Sequence, residues 1–133
     1  MIQLSFAQRR LWFLHRFEGP SATYNLPVVV RLSGELDVDA LTAAVRDVVE
    51  RHESLRTVFD EDEGGVPFQR VVPAGEAAPD LPVREVAAED EEAAVTEAAR
   101  HAFDLSREIP FRASLLRLGE WEHALVLVMH HIA

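Results

Sequence analysis

Two adjacent histidines, His130 and His131, follow the apolar run "HALVLVM" at 123–129. A near-continuous apolar run of this length reads as a strand buried on both faces. Neighbouring side chains on a strand point to opposite faces, so the two imidazoles diverge. They cannot share one metal ion while the strand stays regular. No H-E-x-x-H or comparable ligand spacing occurs elsewhere, so no metal site is expected. The divergence leaves two readings. In one, both rings are satisfied structural groups at a strand end. In the other, labour is divided: one imidazole supports the core or the backbone, and the other faces a cleft. A histidine with its ordinary pKa of ~6.5 suits proton movement near neutral pH, and a strand end opening onto a loop suits a functional residue.

Other chemistry is narrowed by what the 133 residues contain. Cysteine is absent, which removes disulfides and thiolate ligands and fits a reducing cytoplasm. No serine sits in a nucleophile motif, so a covalent acyl-enzyme is not expected. The formal charge is −10, and all thirteen basic residues are Arg. This acid excess argues against nucleic-acid backbones and anionic membrane surfaces as partners. It is concentrated in "DEDEGG" (60–65) and "EVAAEDEEAAVTEAAR" (85–100), which read as a solvated loop and helix face. The opening "MIQLSFAQRR" lacks a signal-peptide layout, and "ALVLVM" (124–129) is far too short to span a bilayer. With 48% hydrophobic residues the chain is globular, one domain or part of one.

The elements that must position the histidines follow from local signals. "SFAQRRLWFLHRF" reads as a helix with Ser5 as N-cap and Gln8 completing a capping box. Its apolar stripe is Ala7, Leu11, Leu14 and Phe17. "YNLPVVVRLSG" reads as a strand with Pro27 near its start. "LDVDALTAAVRDVVERHE" is an amphipathic helix, N-capped by Asp37, with Leu41, Val45 and Val48 as its stripe. "SLRTVF" and "VPFQRVV" flank a Gly-containing loop and suggest a hairpin. The proline-rich 73–82 reads as an internal connector, and "LPVREV" as a short strand. "EDEEAAVTEAARHAF" forms a third helix, with Ala94, Val95, Ala98, Ala99 and Ala102 on one side. Two final strands, "PFRASLLRLG" and "EHALVLVMHH", surround "GEWE". The order αβαββ(β)αββ predicts an α/β fold: a two-layer sandwich of helices on a mixed, mostly antiparallel sheet.

Three stretches taken together carry a resemblance. "SFAQRRLWFL" (5–14) is similar to the S-x-A-Q-x-R-L-W-x-L opening motif of nonribosomal peptide synthetase condensation domains. Ser5, Ala7, Gln8, Arg10, Leu11, Trp12 and Leu14 match. "RHESLRTVF" (51–59) resembles that family's R-H-E-x-L-R-T-x-F motif, through Arg51, His52, Glu53, Leu55, Arg56, Thr57 and Phe59. "MHHIA" (129–133) resembles the start of its H-H-x-x-x-D-G motif, whose Asp and Gly would fall just past Ala133. The order of the motifs is the family's order, and the resemblance covers the whole chain.

The resemblance implies that residues 1–133 are the N-terminal part of a condensation domain. The fold would be a partial chloramphenicol-acetyltransferase-like lobe, with the second lobe absent. The parent would form amide bonds between acyl or peptidyl and aminoacyl thioesters carried on the phosphopantetheine arms of donor and acceptor carrier proteins. Its setting would be the cytoplasmic synthesis of peptide secondary metabolites such as antibiotics. No cofactor would bind the chain directly. By the same resemblance His131 is the catalytic histidine and His130 the supporting one. Arg56 is the candidate partner of the motif's Asp, and Arg10 is a supporting residue of the opening motif. Further partners would be the remaining lobe and an adjacent adenylation domain.

An α-amine has a pKa near ~7.7–8.0, and a thioester is already activated, so wholesale deprotonation before attack is not required. Orientation of tethered reactants can itself supply roughly 7–11 kcal/mol. The favoured role for His131 is therefore to orient the amine and relay its proton, with strict general-base catalysis as the alternative. The segment alone is expected to be inactive. Two other readings remain open. One is a non-catalytic module that docks carrier proteins or self-associates. The other is a segment of an epimerisation domain or an ester-forming acyltransferase. A cyclising relative, with aspartates in place of the histidines, is excluded by His130 and His131.

Overall fold

Ser5 starts the first helix by a reciprocal exchange. Its hydroxyl accepts the Gln8 N–H at 3.2 Å, and the Gln8 Oε1 accepts the Ser5 N–H at 2.9 Å. The computed structural model describes residues 2–133. In it β1 (Ile2–Gln3) leads into α1 (Phe6–Glu18), which ends where Gly19 takes a positive φ of 81°. Then come β2 (Asn25–Ser33), α2 (Val38–Arg51), a 3-10 turn at Glu53–Arg56, β3 (Thr57–Glu61), β4 (Pro67–Val71) and the single-turn α3 (Ala74–Ala77). The chain continues with β5 (Val83–Glu85), a 3-10 turn at Ala88–Asp90, α4 (Glu91–Ala99), β6 (Phe111–Gly119) and β7 (Glu122–His130).

The mixed, mostly antiparallel sheet expected from the sequence has the order β2-β7-β6-β5, with only the β5–β6 pair parallel. β7 is central, which is why its sequence is apolar on both faces. β2 is an edge strand, so the missing N–H of Pro27 costs no ladder bond. The predicted hairpin is β3–β4, turned at Asp62 and Gly65. With β1 it makes a second, three-stranded sheet, β1-β4-β3. Neither β1 nor α3 is legible in the sequence; each is too short to show a period.

Helices cover both faces of the larger sheet. On one face Ala124, Val126 and Val128 of β7 pack with Leu11 and Trp12 of α1, Ala94 of α4, Phe59 and Phe103. On the other, Leu125 packs with Val45 and Val49 of α2 and with Phe111, Ala113 and Leu115. Three sequence expectations shift here. Val49, not Val48, joins Val45 as a buried residue of α2. Phe17 is 80% exposed and is no part of α1's core stripe. α4 stops at Ala99 and does not run on to Phe103. The reason is tertiary: Phe103 and Leu105 are drawn fully into the core, and the Leu105 carbonyl accepts the Phe59 N–H at 2.8 Å.

Candidate functional site

β7 delivers the histidine pair to the end of the sheet, and there the two rings part. His130 is the last residue of the strand, opposite Asn25 of β2, and is 5% exposed. Its ring lies among Tyr24 and Phe103, with centroids 6.3 Å from each. Its Nδ1 accepts the Ile132 N–H at 3.0 Å. Burial, reinforced by the neighbouring His15 and His131, pushes the His130 imidazole down to about 4. At neutral pH it is uncharged and acts as an acceptor.

His131 is exposed. It leads the turn after β7, which the Ala133 N–H closes on the His130 carbonyl at 3.0 Å. The His131 N–H donates to the Tyr24 carbonyl at 2.9 Å, the last bond between the two strands' chains. The divided surroundings expected from strand alternation are therefore present. One imidazole is a neutral internal prop, and the other is presented to solvent on a backbone held from both sides.

Three residues that secure this end were not singled out for that role from the sequence. Gln8, read as a capping residue and a match to the opening motif, also donates through Nε2 to the Ile132 carbonyl at 3.2 Å. Ile132 itself is buried in the core beside α1. The Asn25 side-chain amide donates to the carbonyls of Ala99 and His101 at 2.9 and 2.7 Å. The first is the last carbonyl of α4, which lacks an intrahelical donor, and the second lies two residues beyond the helix. Tyr24 supplies the carbonyl for His131. The dipeptide "YN" before the valine run was the only available signal, and nothing local in it indicates these partners.

Arg56 is half-buried at the end of the 3-10 turn. Its Nε donates to the Glu50 carbonyl at 3.2 Å and its Nη1 to the Val72 carbonyl at 2.9 Å. It thereby ties the end of α2 to the residue after β4. Arg10 is exposed on α1, on the stripe that carries Phe6, Phe13 and Phe17. Gln8, not Arg10, is the α1 residue bonded to the histidine turn. Trp12 is buried, and its Nε1 donates to Glu61, which also holds Arg16 at 2.7 Å. A cavity of about 350 Å³ opens between α4 and β6, beside Arg84, His101 and Arg112; His131 does not line it.

The family model described as "Condensation domain" matches residues 1–133. The chain belongs to the condensation-domain family. It is 58% identical over 133 residues to "Probable non-canonical nonribosomal peptide synthetase (NRPS) CymA" of Salinispora arenicola, covering all of this chain and 2% of that one. It is 54% identical over 131 residues to the dimodular nonribosomal peptide synthase of Bacillus subtilis, covering 98% of this chain and 6% of that one. Among solved structures, the X-domain from teicoplanin biosynthesis superposes with a TM-score of 0.87 at 41% identity, covering 98% of this chain and 28% of that one. The starter condensation domain of rhizomide synthetase RzmA superposes with a TM-score of 0.86 at 23% identity, covering 98% and 32%; this second likeness shows the fold. The chain thus spans a small part of the curated relatives it matches. No helix of the described residues is long and apolar enough to cross a membrane.

Proposed function

We propose that this chain is the N-terminal part of a nonribosomal peptide synthetase condensation domain and contributes the catalytic histidine, His131, to amide-bond formation. The observation that carries the reading is the contrast at the end of β7: His130 buried and neutral, His131 exposed on a fixed turn. A donor thioester and an acceptor aminoacyl thioester would each arrive on a carrier protein's phosphopantetheine arm. The acceptor nitrogen attacks the donor carbonyl carbon and the C–S bond breaks. The ammonium proton passes through His131 to the departing thiolate, leaving an amide and a free thiol.

The remaining lobe is the main partner in this proposal. Phe6, Phe13 and Phe17 on α1 and Leu26, Val28, Val29 and Val30 on the edge strand β2 are exposed, an apolar surface suited to further protein. Arg56 keeps Nη2 beyond its two carbonyl bonds, and it is the proposed partner of the motif's Asp. Without the opposing lobe, His131 faces solvent and orients nothing, so this chain alone is expected to be inactive.

The test is an assay with loaded donor and acceptor carrier proteins. The full condensation domain should form amide product, its His131→Ala variant should lose it, and the isolated chain should make none. Amide formed by the H131A domain overturns the catalytic assignment, and amide formed by the isolated chain overturns its expected inactivity. A second reading, a docking module without chemistry, is favoured by the exposed phenylalanines and by the X-domain likeness, since that X-domain has been solved in complex with OxyB. A full domain that binds a partner protein but makes no amide would support it.

A further inference from the structure

We infer that Gln8 is a positioning residue for His131, holding the turn that carries the histidine from a helix more than a hundred residues away in sequence. The inference rests on the proposed role of His131. Gln8 occupies the third position of α1, and its side chain serves two tasks with opposite atoms. Its Oε1 accepts: it takes the Ser5 N–H at 2.9 Å, closing the capping box, and the Gln69 Nε2–H at 3.1 Å from β4. Its Nε2 donates to the Ile132 carbonyl at 3.2 Å. The residue whose carbonyl it grips directly follows His131.

The turn needs such a grip. His131 lies beyond the last ladder pair, Asn25–His130. Its own N–H is held by the Tyr24 carbonyl, and the Ile132 N–H by the His130 ring. Both of these bonds act on N–H groups, and the turn's other carbonyl bond, from the Ala133 N–H to His130, lies within the turn itself and ties it to nothing else. Gln8 supplies a restraint on a carbonyl of the turn and joins it to α1 and, through Gln69, to the smaller sheet. A capping residue alone has no need of an amide: Glu fills the third position of a capping box as well as Gln does. The donor atom is what the turn requires. A displacement of about 1 Å at a reacting group can cost on the order of a hundredfold in rate.

The two tasks separate by substitution in the full condensation domain. In Gln8→Glu both acceptor bonds are retained, and the added negative charge suits a helix N-terminus. The second carboxylate oxygen, however, faces the Ile132 carbonyl and repels it. Expected are a kcat lowered about 10- to 100-fold, an unchanged KM for both loaded carriers, and faster amide exchange at Ile132 and Ala133. Ser5→Ala breaks only the cap, so its Tm falls while kcat holds. His131→Ala is run alongside. If Q8E keeps kcat while H131A abolishes it, the positioning role is overturned and the His131 reading stands. If H131A keeps kcat, the His131 reading fails, and the exchange data then decide whether Gln8 holds the turn. Unchanged exchange in Q8E overturns the inference in either case.

Discussion

His130 braces the turn that follows it: its Nδ1 accepts the backbone N–H of Ile132 at 3.0 Å, so the buried ring fixes the residue on the far side of His131. The bond requires an unprotonated Nδ1. Burial satisfies that requirement by holding the imidazole at about 4.

Folding stability should therefore depend on pH through His130. The unfolded chain protonates this ring near ~6.5 and the folded chain only near about 4. Between those values the unfolded state binds more protons. The contribution is complete above ~6.5 and is lost as pH falls toward 4, to the extent of about 3 kcal/mol. Urea unfolding at pH 7 and pH 4.5 measures it. Wild type should lose about 2–3 kcal/mol more than His130→Asn over that interval. Equal losses in the two proteins would refute the assignment.

Asn25→Asp replaces the single Nδ2 that donates to both the Ala99 and His101 carbonyls by an oxygen, at nearly constant volume. Both carbonyls, one at the end of α4 and one just beyond it, then face an acceptor. A destabilisation of about 1–3 kcal/mol is expected in urea unfolding. A change under about 0.5 kcal/mol would show that Asn25 fills space only.

Arg56 spans two carbonyls with one planar group, which Lys cannot do. Arg56→Ala should cost about 1–3 kcal/mol, and Arg56→Lys should recover only part of that. A Lys variant as stable as wild type in thermal melts would mean that charge alone, not the forked geometry, is what the site uses.

The exposed rings of Phe13 and Phe17, stacked at 6.1 Å, separate a lobe interface from a free surface. Phe13→Ser with Phe17→Ser should leave the stability of this chain within about 0.5 kcal/mol and lower its tendency to self-associate. In the full domain the same pair should lower stability by about 2–4 kcal/mol, because the proposed lobe interface would cover the rings there. Paired denaturation curves and sedimentation at several concentrations check both. A pair that costs the full domain no more than it costs this chain would refute the proposed interface.

Much of the local structure was legible because its causes act over a few residues. Ser5 with Gln8, and Asp37 with Ala40, are caps that neighbouring residue types dictate. The apolar run before His130 announced a strand buried on both faces, and strand alternation the divergence of the two histidines; that β2 lies at the sheet edge, where Pro27 is tolerated, only the fold shows. The family motifs pointed to His131 as the group to watch. What the sequence could not decide was everything that depends on which elements meet. Val49 is buried in place of Val48, Phe17 is left outside, and α4 ends early because Phe103 and Leu105 are claimed by the core. Gln8 shows the division within a single side chain. Its Oε1 answers a residue three positions away, and any reading of a helix start finds it. Its Nε2 answers a carbonyl 124 positions away, because the fold lays α1 beside the end of the central strand. Periodicity and capping carry no information over that distance; only the packing of both helices and strands onto one sheet brings the two groups within hydrogen-bond reach.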